Sequence, residues 1–466
     1  MLSKKKFEEI FSTVEIKESQ TLQHTFFALI FYFYVAFFNW LEKDIISISS
    51  LKLGSYTCPP YFLDCGNYYF LQALPYGYSQ GFFYMCLFAV LGLGIYFALK
   101  KEWLFAQLTL FTCLAWMMLV SFVLTYGISG NFNYYAMVLA FVFIFLPKKK
   151  YFLKLSFVFL YFLASTIKLD EGWIFGNYLR NLISGAPFFS NTVLPLATNL
   201  VILMQILGTW FLLSNNKYLQ KIAFIYFLIF HFYSGIIVNY TYVSISIPIL
   251  LILFSKYEEF RILKINRTTL YGYLFLFFLL ASQLIGIVIP GDQKITMEGN
   301  FYGLYMFEAN HQCIANVRYF LTDGKILESK KENHIANNRC DVYRYFFNLK
   351  NKCKKQNVDK ISWQFDHSIN GNPYERIVDT ENVCELDYKV FSHNDWIKIE
   401  NESTRLDLPV YKNGFSREID DAIKIPADPI VNDKVLGDLR FIYWCLWISV
   451  LISVITFLFF ISFLRK

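Results

Sequence analysis

Charge is scarce in this chain. Only 17% of its 466 residues are Asp, Glu, Lys or Arg, against about 25% in ordinary soluble proteins. Histidine is scarcer still, at 6 residues, and proline accounts for 12. No CxxC pair or His/Cys ladder is present, which removes the usual zinc frameworks, and no metal is expected. Internal repeats and low-complexity linkers are also missing, so solenoid and disordered classes fall away. What fills the space is apolar: 56% of the chain is hydrophobic and 20% aromatic, with 51 Phe and 33 Tyr. Soluble cores stop growing near about 250–300 residues, so one dry core in water does not account for this excess. The expected fold class is an α-helical polytopic membrane protein whose first partner is the lipid bilayer. The formal charge of +7 is no nucleic-acid signal, because the lysines sit in short clusters between apolar runs.

A membrane-spanning helix needs about 20 mostly apolar residues. Ten segments approach that pattern: Leu22–Leu41, Gly77–Leu99, Trp103–Tyr126, Tyr134–Leu146, Phe152–Ile167, Leu194–Leu213, Ile222–Val238, Tyr242–Phe254, Leu270–Pro290 and Phe441–Leu464. The fourth, fifth and eighth are short. No small-residue cleavage site follows the first, so it reads as a retained span.

Basic residues orient the bundle, since short cytoplasmic loops are enriched in Lys and Arg. With both termini inside, the inner side receives Lys4, Lys5, Lys6, Lys17, Lys100, Lys101, Lys148, Lys149, Lys150, Lys154, Lys217, Lys221, Lys256, Arg261, Lys264, Arg267, Arg465 and Lys466. The short outer loops receive Lys43, Lys52, Lys168 and Arg180, so the count is eighteen against four. Merging the seventh and eighth segments would move the Lys256–Arg267 cluster outside, so they are kept apart.

Cysteine placement agrees with that orientation. Cys58, Cys65, Cys313, Cys340, Cys353 and Cys384 fall on the expected outer side, whereas Cys86, Cys113 and Cys445 fall inside spans. Six outer cysteines suit an oxidising compartment and up to three disulfides, whose pairing the spacing leaves open.

Three regions follow: a membrane domain over 1–290, an extracytoplasmic α+β domain over 291–439, and a C-terminal transmembrane helix over 440–466. In the second, Val317–Phe320 followed by Thr322-Asp323-Gly324-Lys325 reads as a hairpin, because Asp-Gly supplies the positive φ of a tight turn. Cys340–Cys353 places Val342, Tyr345, Phe346 and Leu349 on one helical face. Ile361–Ile369 alternates apolar and polar residues, and Asn370-Gly371-Asn372-Pro373 turns it into Tyr374–Val378, a second hairpin. Asn401-Glu402-Ser403 is a glycosylation sequon, meaningful in a eukaryotic host.

Ionisable groups at membrane depth are costly and therefore candidate functional residues. Lys168 and Asp170 close the fifth span, His231 lies inside the seventh, and His24 lies near the inner end of the first. Two readings of Lys168 stand side by side. It is either a lysine snorkelling to water beside Asp170 or Glu171, or a partly desolvated amine able to act as a base. His231 is either a helix-interface histidine bonded to a neighbour or part of a site.

The run Tyr161-Phe162-Leu163-Ala164 through Ile167-Lys168-Leu169-Asp170-Glu171-Gly172-Trp173-Ile174-Phe175-Gly176 resembles the signature of the vitamin K-dependent gamma-glutamyl carboxylase family, which shares the horizontally transferred transmembrane (HTTM) domain. There, a span ends in Lys-Leu-Asp-x-x-Trp-x-x-Gly. In the same order, Cys65 with Leu71-Gln72-Ala73-Leu74 is similar to that family's first lumenal loop, and Phe230-His231 with Tyr242-Val243 to its later His-bearing spans. Phe301-Tyr302-Gly303 with His311, and Ser368-Ile369-Asn370 with Arg376-Ile377-Val378-Asp379, resemble parts of its lumenal domain. Coverage runs from about the first loop to about residue 400.

The resemblance implies a membrane enzyme that couples epoxidation of vitamin K hydroquinone, with oxygen and carbon dioxide, to carboxylation of a peptide or protein glutamate on the outer face. Lys168 would be the catalytic base that deprotonates the hydroquinone. The anion would react with oxygen to give a strong base that removes the glutamate γ-proton, and carbon dioxide would add to the carbanion. Asn131 and His231 would line the quinone site, and Tyr302 and His311 the glutamate site. A short bacterial inner-membrane homologue is implied. Four departures stand out: Phe132 takes the place of a family histidine, Cys313 that of a basic residue, one lysine rather than two precedes Leu169, and a final span replaces most of the C-terminal region that binds propeptides. Alternatives are an HTTM-family oxidoreductase or modifying enzyme with another substrate, and a non-catalytic binding or immunity protein.

Overall fold

The structure is a computed structural model that describes residues 4–42, 56–68, 78–126, 131–166, 168–169, 171–180, 186, 188–190, 192–237, 240–299, 303–304, 311–333, 340–354, 357–370, 372–399 and 404–406. The expected last span Phe441–Leu464, the sequon and Tyr302 lie outside the described residues, as do Asp170 and Gly371.

Two short helices, α1 (Lys4–Ile10) and α2 (Thr13–Glu18), lead into α3 (Gln20–Glu42). The bundle continues with α4 (Tyr78–Leu99), α5 (Trp103–Leu119), α6 (Asn131–Phe145) and α7 (Lys149–Thr166). After two single-turn helices, α8 (Glu171–Ile174) and α9 (Asn177–Arg180), come α10 (Leu194–Ile206), α11 (Lys217–Ile237), α12 (Tyr240–Phe254) and α13 (Arg267–Val288). Among the described residues, five helical stretches are long and apolar enough to cross a membrane: Gln20–Leu41, Gly81–Leu99, Trp103–Leu124, Lys217–Ile236 and Arg267–Val288. Phe132–Phe145, Leu194–Ile206 and Tyr242–Phe254 are apolar but shorter. Consecutive helices α3 to α7 pack on one another in turn from α3·α4 to α6·α7, and α12 closes the bundle against α3, α6 and α11.

Local chemistry sets several boundaries. The run Leu194–Leu213 does not stay α-helical: α10 ends at Ile206 and Gly208–Leu213 tightens into a 3₁₀ turn. The end of α5 widens into a π-helix over Val120–Leu124. Asn266 starts α13 with a capping box, its side chain accepting the Thr268 and Thr269 N–H groups while Thr269 answers the Asn266 N–H. Lys149 is buried, and its ammonium donates to the Phe143, Ile144 and Leu146 carbonyls at 2.6, 3.1 and 3.2 Å. It thereby satisfies the C-terminal acceptors of α6 with a charge of the favoured sign.

After α14 (Gln293–Thr296) comes a five-stranded antiparallel sheet in the order β2-β1-β3-β4-β5. Its strands are β1 (His311–Leu321), β2 (Ile326–Asn333), β3 (Val358–Ile369), β4 (Tyr374–Thr380) and β5 (Thr404–Leu406). Both expected hairpins are present: Gly324, with φ 82°, turns β1 into β2, and Asn370, with φ 53°, sits at the turn from β3 to β4. Helix α15 (Val342–Cys353) buries Val342, Tyr343, Phe346, Phe347 and Leu349. Tyr345, expected on that face, is half-buried against Phe365.

The cysteines pair as Cys58–Cys65, Cys313–Cys340 and Cys353–Cys384, with Cα separations of 5.4, 5.8 and 5.6 Å. Cys113 is a buried free thiol and Cys86 an exposed one. One apolar core runs from the bundle into the sheet domain, and a second, around Trp173, Tyr178, Leu194, Ile202 and Ile369, lies where the two meet.

Candidate functional site

Lys168 follows the last turn of α7, its N–H bonding to the Ser165 carbonyl at 2.9 Å. It is 3% exposed, so it does not reach toward water. Its ammonium donates to Gln205 Oε1 on α10 at 2.9 Å and lies 5.1 Å from the centre of the Trp173 ring on α8. Trp173 stacks in turn on Tyr178 at 5.3 Å. This segment meets the sheet domain directly. Gly172 faces Asn370 so closely that a Cβ at 172 would lie 1.9 Å from Asn370 Nδ2. Ile369 joins the Trp173 cluster, and Ile295 of α14 packs against the same group.

Deeper in the bundle, His231 of α11 is fully buried and hydrogen-bonds through Nε2 to the Tyr161 hydroxyl of α7. Tyr242 of α12 lies 5.2 Å from the His231 ring, and Tyr135 of α6 lies 5.3 Å from Tyr242 and 6.1 Å from Tyr161. Four helices thus converge on one aromatic cluster. Among the described residues no group bonds to His231 Nδ1.

Asn131 opens α6, one turn before Tyr135, and its side chain lies outside the described residues. Its neighbour Asn133 is buried and accepts the Tyr32 hydroxyl at 2.8 Å. Phe132, in the histidine position of the resemblance, is half-buried against the core.

His311 opens β1 opposite Ile369 of β3, which brings it to the end of the sheet that touches the Lys168 segment. It is buried, and its Nδ1 lies 3.0 Å from Nε2 of buried His367, whose Nδ1 lies 2.8 Å from the Ile295 carbonyl. Burial pushes the His367 pKa down to about 4, partly opposed by that carbonyl. His367 belongs to none of the sequence motifs above. The available signal was its register: Ile361, Trp363, Phe365, His367 and Ile369 share one face of β3, and a histidine among inward positions needs partners.

Lys168 and His231 thus sit at the end and in the middle of the α7 neighbourhood, His231 through Tyr161, and His311 stands across the bundle–sheet junction from Lys168. Cys313 is tied to Cys340 and supplies no charge. Among the described residues no group of three His, Cys, Asp or Glu is placed to hold a metal ion. Comparison of the chain with family models, characterised proteins and solved structures finds no match.

Proposed function

We propose that this chain is a multi-pass membrane enzyme similar to the vitamin K-dependent gamma-glutamyl carboxylases of the HTTM family. It would act on a reduced quinone entering from the bilayer and on a peptide glutamate arriving at the sheet domain. In this reading the ten apolar segments span the membrane, both termini are cytoplasmic, and the sheet domain lies on the periplasmic face of a bacterial inner membrane. The observation that carries the proposal is the placement of Lys168. A buried lysine stands at the junction of bundle and sheet, and Tyr161 of the same α7 segment bonds a buried histidine whose Nδ1 meets no group among the described residues.

A quinone fits that arrangement. Its oxygen atoms match His231 Nδ1, a ring nitrogen able to donate, and its flat apolar rings match the Tyr135, Tyr161 and Tyr242 faces. When bound, a reduced quinone would supply the electrons for oxygen chemistry. Lys168 would accept a proton at Nζ as the general base. Gln205 and Trp173 hold the Lys168 side chain in place, His231 orients a bound oxygen, and the surrounding aromatic side chains exclude water.

Phe132 and the disulfide-bonded Cys313 favour a second reading, in which quinol oxidation proceeds without carboxylation or serves another substrate. Purified protein supplied with reduced vitamin K, oxygen, labelled bicarbonate and a Glu-rich peptide should yield both labelled peptide and quinone epoxide. Lys168→Arg should lower both by about 10²–10⁴-fold, since arginine stays protonated. Epoxide without labelled peptide selects the uncoupled enzyme. If neither product forms and Lys168→Ala leaves the native host unaffected, the chain is a binding or immunity protein.

A further inference from the structure

The His311–His367 pair fixes more than a contact. The Ile295 carbonyl can only accept a hydrogen bond, so His367 Nδ1, 2.8 Å away, carries the ring proton. A neutral His367 then has only a lone pair at Nε2, which can only accept. The atom it accepts from is His311 Nδ1, 3.0 Å away, so that nitrogen also carries a proton. The ring geometry suits an in-line bond: the planes lie within 19° of each other and the centroids are 5.2 Å apart. Burial keeps His367 neutral down to about pH 4, so the direction of the chain holds through the working range. The anchor is itself fixed, because the Ile295 side chain packs against the Trp173 cluster beside Lys168.

We propose that His367 is a positioning residue that locks His311 in its Nδ1–H form, which leaves Nε2 as the unprotonated, accepting nitrogen of the His311 ring. Any group that meets Nε2, from the chain or from a substrate, is then a hydrogen-bond donor. The role in turnover rests on the carboxylase-like reading, but the tautomer does not.

The test is a long-range proton–nitrogen correlation spectrum of full-length protein with ¹⁵N-labelled histidine in lipid nanodiscs. His311 should show a protonated, pyrrole-type Nδ1 and a bare, pyridine-type Nε2. His367→Gln can both accept and donate and should keep that pattern, whereas His367→Phe should abolish it. If the carboxylation assay is active, His367→Phe should cost about 10–100-fold in turnover, the usual effect of losing a histidine's orienting partner, and His367→Gln should recover most of it. An Nε2–H form of His311 in the unmodified protein overturns the proposal. So does a His311 pattern that survives His367→Phe. The unmodified spectrum decides the first point even if the variants do not fold. An inactive enzyme with the expected spectrum overturns only the carboxylase-like reading.

Discussion

Gly172→Ala probes the junction directly. An added Cβ would lie 1.9 Å from Asn370 Nδ2, 2.8 Å from its Cγ and 3.3 Å from its Cβ. The first two separations are shorter than any ordinary carbon contact, so one partner must move. Asn370 cannot simply swing aside. It is 3% exposed and occupies a left-handed position, and the turn is closed by the Asn372 N–H on the Ile369 carbonyl at 2.9 Å. Overpacking of this kind typically costs about 1–3 kcal/mol. Over the same energy range, an equilibrium shifts by about 5- to 150-fold. The thermal midpoint of purified protein should fall for Gly172→Ala. Asn370→Gly alone should be mild, because glycine tolerates a φ of 53°. Combining the two should restore most of the loss, since contacting residues are not additive. An unchanged midpoint for Gly172→Ala, or a double variant no better than Gly172→Ala, would refute the close approach.

Asp341 caps α15, accepting the Tyr343 N–H at 3.0 Å, and burial raises its pKa above the ordinary carboxyl value against the opposing Arg344 charge. A raised folded value means that the folded state binds this proton more tightly, so ionisation costs stability as pH rises above about 3.9. Asparagine caps equally well without titrating. The melting temperature of the unmodified protein minus that of Asp341→Asn should therefore fall from pH 4 toward neutrality, and a flat difference would contradict the burial argument. The Cys353–Cys384 bridge closes a sequence separation of 31. Replacing both cysteines with Ala should cost the sheet domain about 3–4 kcal/mol in chain entropy, measured by urea denaturation. Non-reducing peptide maps should link Cys58 to Cys65, Cys313 to Cys340 and Cys353 to Cys384, and any other pairing would overturn the fold of the sheet domain.

Hydropathy located the helices because a buried apolar run needs no partner to be recognised. It is blind to hydrogen-bond period, which is why Leu194–Leu213 read as one helix although its last residues form a 3₁₀ turn. The hairpins were legible from Asp323-Gly324 and Asn370-Gly371, whose residue types favour positive φ. β5 has three residues and no such marker. Lys168 stood out as a charge closing an apolar run. Its partner Gln205, 37 residues away, did not, because pairing between helices leaves no local pattern. Lys149 shows the limit of counting charges: read as a marker of sidedness, it is buried as a cap on α6.

One hydrogen bond bears on how the molecule is made. The Tyr343 hydroxyl donates to the Cys58 carbonyl at 2.7 Å across a sequence separation of 285, and the Tyr343 ring also packs on Tyr126 at 4.9 Å. The loop carrying Cys58 leaves the ribosome early, yet its docking surface is synthesised only after α13. During synthesis that loop must wait, with the small Cys58–Cys65 ring holding its shape, until α15 arrives to cover it. A nascent chain arrested before Tyr343 would keep that disulfide open to reducing agents, and release of the full chain would shield it.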